Sequence, residues 1–326
     1  MCATVSVVTA TYNYARFLPD ALDSVLGQTF TDWEALVIDD GSTDNTEEVI
    51  QPYLNDPRIR YHRTENRGQP AAENTGIRLS QGKFIAFLDA DDAWLPQKLE
   101  RQLPLFSGRP ELGVVFSRRQ NIDPHGRPLA NDEFPPFRGK VFEQMFRQNF
   151  VCFSSSVVRR EVFESIGFFN EECRHASDYE LWQRVTPHYD FDYVDQRLVK
   201  YRTGHANLTS HVDNQLLTVL KMTDRFVKEH GDKLPRPLIR QCYAVMYSQL
   251  GATSRDRSRI AALPWYVRAL AMSPGHADAW RGLASLFLPE AVRRCLRRAL
   301  GRPADWRAVK PIEDTTLLGI QDGAGQ

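Results

Sequence analysis

The strongest constraint on this chain is the run Lys83-Phe84-Ile85-Ala86-Phe87-Leu88, an apolar stretch with β character that stops abruptly at Asp89-Ala90-Asp91-Asp92. A short apolar run bounded by charge fits a strand buried on both faces, as in a parallel sheet covered by helices. Open α/β sheets bind ligands at the carboxyl ends of their strands, so the acids fall where chemistry is expected. On an ideal strand Asp89 and Asp91 point the same way, and two converging carboxylates repel unless a cation lies between them. The run has two readings: a divalent metal carrying a phosphate, or a turn whose acids merely end the strand.

The preceding chain repeats one pattern. Val5 to Ala10 is a β-rich run, broken by Thr11-Tyr12-Asn13-Tyr14 before a helical stripe of Phe17, Leu18, Ala21, Leu22, Val25 and Leu26. Trp33 to Ile38 forms a second strand, Asp39 to Ser42 a turn, and Asp44 with Glu47 a capping box for the next helix. Ile59 to His62 is a third strand, and Ala71 to Leu79 a helix leading into the acidic run. Alternating strands and helices imply a parallel sheet with right-handed crossovers. That sheet would gather Thr9 to Tyr12, Asp39 to Ser42, Arg67 to Gly68 and Asp89 to Asp92 at one edge. Neither a G-x-G-x-x-G fingerprint nor a phosphate-cradling P-loop is present, so a metal must replace those backbone cradles.

Further on, Pro96 to Phe106 reads as a helix, Val114 to Phe116 as a strand, and Asn131 to Gly139 as an active-site loop. Phe153 to Val158 reads as a strand, and Arg160 to Ile166 as a helix stopped by Gly167. Ser177 with Glu180 makes another capping box, Tyr193 to Tyr201 is a strand, and Gly204, His205 and Asn207 mark a loop. From about Gln215 the pattern is helical only, with a stripe of Leu216, Leu217, Leu220, Phe226 and Val227. Trp265 to Leu270 and Ala279 to Ala284 resemble one tetratricopeptide-type hairpin. The expected organisation is an α/β domain over 1–212, a helical domain over 213–309 and a loose tail over 310–326.

Acidic and basic residues balance at 41 each, so no global field favours nucleic acid. Cys2, Cys152, Cys173, Cys242 and Cys295 lack metal spacing and fit reduced thiols in a cytoplasmic setting. No stretch is long and apolar enough to span a bilayer. The segment 290–300 reads as a basic amphipathic helix, which either lies peripherally on the inner face of an anionic membrane or packs on its own domain.

Four motifs together, Val5 to Asn13, Val37-Ile38-Asp39-Asp40-Gly41-Ser42-Thr43-Asp44, Asp89-Ala90-Asp91-Asp92 and Ser177-Asp178-Tyr179-Glu180-Leu181-Trp182, resemble the family 2 glycosyltransferases. The resemblance covers roughly the first two hundred residues. It implies a GT-A fold, Rossmann-like with a mostly parallel central sheet, here with an α-helical C-terminal extension. It also implies inverting transfer from a nucleotide-diphosphate sugar, a UDP-sugar being favoured, to a hydroxyl of a glycan or lipid-linked acceptor in surface polysaccharide or glycoconjugate synthesis. By the same resemblance Thr9, Ala10, Thr11 and Tyr12 line the base and ribose, and Asp40 accepts from the base. Arg67 approaches the nucleotide or its phosphates, or is a plain surface arginine. Asp89 and Ala90 face the ribose or the metal's waters, and Asp91 ligates Mg2+ or Mn2+. Asp92 is left as a supporting or solvent-exposed acid. His205 resembles a histidine used near the metal, its alternative being polar loop surface.

Inversion needs one base to take the acceptor's proton, and Asp178, in the first turn of its helix, is the candidate. The Q-x-x-R-W motif and membrane spans of processive relatives are absent, so single transfers are expected. The rival from another class is a catalytically silent nucleotide-sugar or glycan-binding module with a partner-recruiting tail. A nucleotidyltransferase would want a glycine-rich basic loop that is missing.

Overall fold

The computed structural model describes residues 3–131, 136–205 and 212–288. The chain divides into two compact units, Met1–His211 and Val212–Gln326.

The first unit is built on an eight-stranded sheet of β1 (Val5–Thr11), β2 (Trp33–Asp39), β3 (Ile59–Arg63), β4 (Phe84–Phe87), β5 (Ala93–Trp94), β6 (Leu112–Ile122), β7 (Val157–Arg159) and β8 (Asp190–Arg202). Their order is β3-β2-β1-β4-β7-β6-β8-β5. The first four strands in that order are parallel, as the alternating pattern predicts. The chain runs from β1 outward to β3 and then returns to place β4 on the other side of β1. The crevice beside β1 is therefore the switch point at which such sheets bind ligands. Thr11 pairs with Asp39, and Val8 with Phe87, so the polar loops after β1, β2 and β4 leave the sheet at one edge.

The helices of this unit are α1 (Leu18–Leu26), α2 (Thr46–Ile50), α3 (Gln69–Leu79), α4 (Lys98–Gln102), α5 (Phe142–Arg147), α6 (Arg160–Ile166) and α7 (Ser177–Val185). Leu18, Ala21, Leu22 and Val25 of α1 are buried, while Leu26 at its end is exposed. Gly76 lets α3 lie directly on β1, because a Cβ there would stand 2.4 Å from Val8 Cγ1. α6 ends as predicted at Gly167, whose φ of 88° suits glycine.

The sheet is mostly parallel, as expected, with β7 running against β4 and β6 and the short β5 against β8, while β6 and β8 are parallel. Other local expectations fail for identifiable reasons. Phe153–Ser155 is a 3-10 turn rather than the start of a strand. Ser155 and Ser156 donate their hydroxyls to the carbonyls of Cys152 and Phe153, which competes with extension. The helix from Pro96 shortens to α4 followed by a 3-10 turn over Leu103–Phe106.

Neither capping box forms. α2 begins after Asn45, Asp44 accepts from the amide and hydroxyl of Thr46, and Glu47 pairs with Arg63. α7 begins after Ala176, held at φ 56°, and Glu180 pairs with Arg184 one turn on.

The second unit contains α8 (Val212–His230), α9 (Arg236–Arg257), α10 (Arg259–Met272) and α11 (Ala277–Phe287). Leu216 and Phe226 are buried on α8, whereas Leu217 is exposed. α10 and α11 form the expected hairpin around Tyr266, whose ring fills the space left by Gly251 and Gly282. No helix among the described residues is long and apolar enough to cross a membrane. The basic segment 290–300, the tail from 310, and residues 132–135 of the predicted active-site loop lie outside the described residues.

Candidate active site

The loop after β1 is locked to the loop after β2. Asn13, at φ 58°, accepts the amides of Thr43 and Asp44 on its side-chain oxygen at 2.7 and 3.2 Å, and its own amide donates to Ser42 Oγ at 2.9 Å. Asp39 is a buried turn acid, accepting from the Ser42 amide at 2.8 Å and the Tyr61 hydroxyl at 2.5 Å. Thr9 and Thr11 are buried, Ala10 is half-buried, and Tyr12 is 44 % exposed above them.

Asp40 links this pair of loops to a third. Its two carboxylate oxygens each accept a backbone amide at 2.8 Å, from Arg67 and from Gly68. Gly68, at φ 95°, turns the chain into α3. Asp40 therefore shapes the crevice wall, and a contact with a base would use its remaining lone pairs. The Arg67 guanidinium points to Glu171 at 2.6 Å in an exposed ion pair.

The three acids after β4 converge more closely than a strand would allow. β4 ends at Phe87, and the Asp92 amide bonds back to the Asp89 carbonyl at 3.0 Å, so the acids ride a turn. One oxygen from each of Asp89, Asp91 and Asp92 lies within 4.8 Å of the others. Ala90 between them is buried.

Residues distant in sequence hold this turn. Gln69 donates to Asp89 Oδ1 at 2.9 Å. Ser154 Oγ lies 2.5 Å from Asp92 Oδ2 and 3.2 Å from Asp89 Oδ2, and accepts the Asp89 amide at 3.1 Å. The Arg202 amide donates to Asp92 Oδ1 at 2.8 Å, while its guanidinium donates to the Asp91 carbonyl and to Asp20, both at 2.7 Å. Asp92 is fully buried, which removes the solvent-exposed reading of it.

His205 Nε2 lies 2.8 Å from Asp91 Oδ2, with the imidazole set against the rings of Tyr14 and Phe17. That resolves the loop histidine into a part of the cluster rather than polar surface.

Electrostatically the cluster is crowded with like charge. Burial, then the charge of Asp91, pushes Asp89 up to about 8. Asp92 is driven well above the usual carboxylate range by burial and then by Asp91 and Asp89. Asp91 is also raised by burial, against the pull of His205. Burial and the same three acids raise the Tyr14 hydroxyl. Asp89, Asp91 and Asp92 are grouped closely enough to hold a metal ion, with the His205 imidazole against Asp91, and such an oxygen-rich set suits a hard divalent cation such as Mg2+ or Mn2+.

Asp178 sits in the first turn of α7, half-buried, and accepts from Asn149 Nδ2 at 2.7 Å. Burial raises its carboxyl, while the Tyr179 amide and Asn149 oppose the shift. Its charge is among those that raise Asp89, which places the two carboxylates within electrostatic reach of each other. Leu181, Trp182 and Val185 are fully buried behind it.

Sequence reasoning missed Gln69, Ser154, Arg202 and Asn149. It also missed Glu73, a buried acid among the apolar positions of α3 whose carboxyl is raised well above its usual range by burial and then by Asp89. A charged residue on a helix face otherwise made of Ala71, Ala72, Gly76 and Ile77 was the available signal.

The sequence profile described as glycosyl transferase family 2 matches residues 6–167. An uncharacterised glycosyltransferase of Methanocaldococcus jannaschii is 32 % identical over 222 residues, covering 65 % of this chain and 76 % of the relative. The chondroitin synthase of Escherichia coli is 31 % identical over 209 residues, which cover 63 % of this chain but only 30 % of that longer protein. Among solved structures, a mannosyltransferase from Pyrobaculum calidifontis in complex with GDP-Man and Mn2+ superposes with a TM-score of 0.63 at 19 % identity, over 94 % of this chain and 83 % of its own. These likenesses agree with the GT-A architecture expected from the motifs.

Proposed function

The chain belongs to the family 2 glycosyltransferases, and from that premise we propose an inverting, metal-dependent transfer of a sugar from a nucleotide-diphosphate donor to a hydroxyl of a glycan or lipid-linked acceptor. The observation that carries the reading is the convergence of Asp89, Asp91 and Asp92 at the switch point, with His205 against Asp91 and Asp178 within electrostatic reach of Asp89. A cytoplasmic enzyme of surface polysaccharide or glycoconjugate synthesis fits this reading, and Cys152, Cys173 and Cys242 form no disulfide with one another.

The loops after β1 and β2, with Tyr12 exposed above them, receive the nucleotide, and Asp40 holds the wall against which a uracil-like base would lie. Arg67, once released from Glu171, would approach the phosphates from the loop after β3. A divalent cation held by Asp89, Asp91 and His205 would neutralise the charge gathering on the leaving diphosphate. Ser154 and Arg202 keep the acids in register for it. Asp178 accepts the proton of the acceptor hydroxyl as that oxygen attacks opposite the leaving group. Partial burial lifts its basicity, and Asn149 orients the carboxylate.

The test is a donor screen over UDP- and GDP-sugars with Mg2+ or Mn2+, reading nucleotide diphosphate release and thermal shift together. Release with at least one donor and acceptor supports the enzyme. Donor binding without release under every acceptor favours a silent binding module, and no binding of any nucleotide sugar overturns both readings.

A further inference from the structure

The second unit carries a surface to which the proposed reaction assigns no role. α10 is apolar almost all round. Its inner side buries Ala262, Tyr266 and Ala269 against α9 and α11. Its outer side leaves Ile260 85 % exposed, Val267 53 % exposed and Leu263 exposed between them. The spacing of three and then four residues puts these side chains in one stripe. Trp280 and Phe287 of α11 are exposed as well, so five of the twelve large apolar side chains exposed among the described residues fall on this one hairpin. A helix apolar on every side is normally enclosed, and an exposed apolar stripe marks a contact surface.

The charge on this unit selects the partner. The described residues of this unit, 212–288, hold eleven Lys and Arg against six Asp and Glu, a formal charge of +5. On α10 itself the only charged residues are Arg259 and Arg268, both exposed, and the helix has no carboxylate. An apolar stripe edged by arginine matches a surface that offers apolar depth and negative charge in one plane, which an anionic lipid headgroup layer does.

We propose that the outer face of α10 docks this protein on an anionic membrane surface, with Ile260, Leu263 and Val267 entering the headgroup boundary and Arg259 and Arg268 pairing with lipid phosphates. The proposal is independent of the chemistry in the first unit.

The test is co-sedimentation of the full-length protein with vesicles of phosphatidylcholine alone and of phosphatidylcholine containing about 30 % phosphatidylglycerol. The expected result is partitioning about tenfold or more stronger onto the anionic vesicles, weakening as salt rises from about 50 to about 500 mM. Ile260→Glu with Val267→Glu should abolish the preference while circular dichroism and Tm stay unchanged. Ile260→Ser alone, at the most exposed position, should weaken partitioning measurably and keeps the test valid should the double variant fail to fold. Equal partitioning onto both vesicle types overturns the proposal. So does anionic-vesicle binding that survives in the α10 variants, which would assign it to the basic segment after residue 288. A wild-type oligomer that the variants dissociate, with no vesicle binding, would make the face a protein interface and also overturn it.

Discussion

Asn149 Nδ2 donates to Asp178 Oδ2 across 2.7 Å, so the acid that would take the acceptor's proton is held in place by a neutral amide from a different segment. Burial raises Asp178, and the Asn149 hydrogen bond, which favours the anion, works against that rise. Removing the donor must lift the acid further. Asn149→Ala should therefore move the acid limb of the turnover profile to higher pH, with the loss of rate shrinking as pH increases. A profile displaced downward, or a uniform loss at every pH, would contradict the assignment.

Asp178→Asn removes the proposed base and keeps the shape of the side chain. Turnover should fall by about a hundred- to ten-thousandfold, the usual worth of a general base. Donor affinity, followed by thermal shift with nucleotide sugar, should persist. Unchanged turnover would take Asp178 out of the mechanism.

The acidic turn predicts a coupling between pH and metal. Asp89 holds its proton in the folded chain up to about 8, whereas an unfolded aspartate releases it near about 4. Between those values the folded state binds more protons than the unfolded one, so stability without metal falls as pH rises through that window. A bound cation replaces the missing proton. Mn2+ should accordingly raise Tm more at pH 8.5 than at pH 5.5, and Asp91→Asn should blunt the difference. Equal shifts at both pH values would argue against a cation at these acids.

In the second unit a Cβ on Gly282 would lie 2.1 Å from Tyr266 Cε1, inside a ring that is fully buried. Gly282→Ala should cost about 1–3 kcal/mol in denaturant unfolding, the usual penalty of overpacking. Gly275→Ala, where a Cβ meets nothing within 4 Å, is the control and should stay within about 0.5 kcal/mol. If the two variants unfold alike, the packing of the hairpin around Tyr266 is wrong.

The parallel half of the sheet was readable because strands buried on both faces must be apolar throughout, as β4 is at Phe84, Ile85, Ala86 and Phe87. The segment around Ser154 was not. Its apolar neighbours read as a strand, yet the serine hydroxyls turn back on local carbonyls and free Ser154 to hold two acids some sixty residues earlier in the chain, with a separation of 65 residues to Asp89. The capping box assigned to Ser177 and Glu180 also read plausibly, but Glu180 is drawn to Arg184 and the helix starts from Ala176 instead.

Local chemistry in the sequence determined the strand and helix alternation and the edge on which the loops gather, because these depend on burial patterns and on neighbours a few residues apart, whereas the roles of Asp91 and Asp178 stood out only through the resemblance of their motifs. The tertiary structure alone decided that the acids ride a turn rather than a strand, that Asp92 is buried, and that Asp40 shapes a loop through the amides of Arg67 and Gly68. It also brought Arg202 to Asp92 across 110 residues and His205 to Asp91 across 114. A hydrogen bond depends on an approach within about 3 Å, and a pKa on burial and nearby charge, so neither is encoded at any single position.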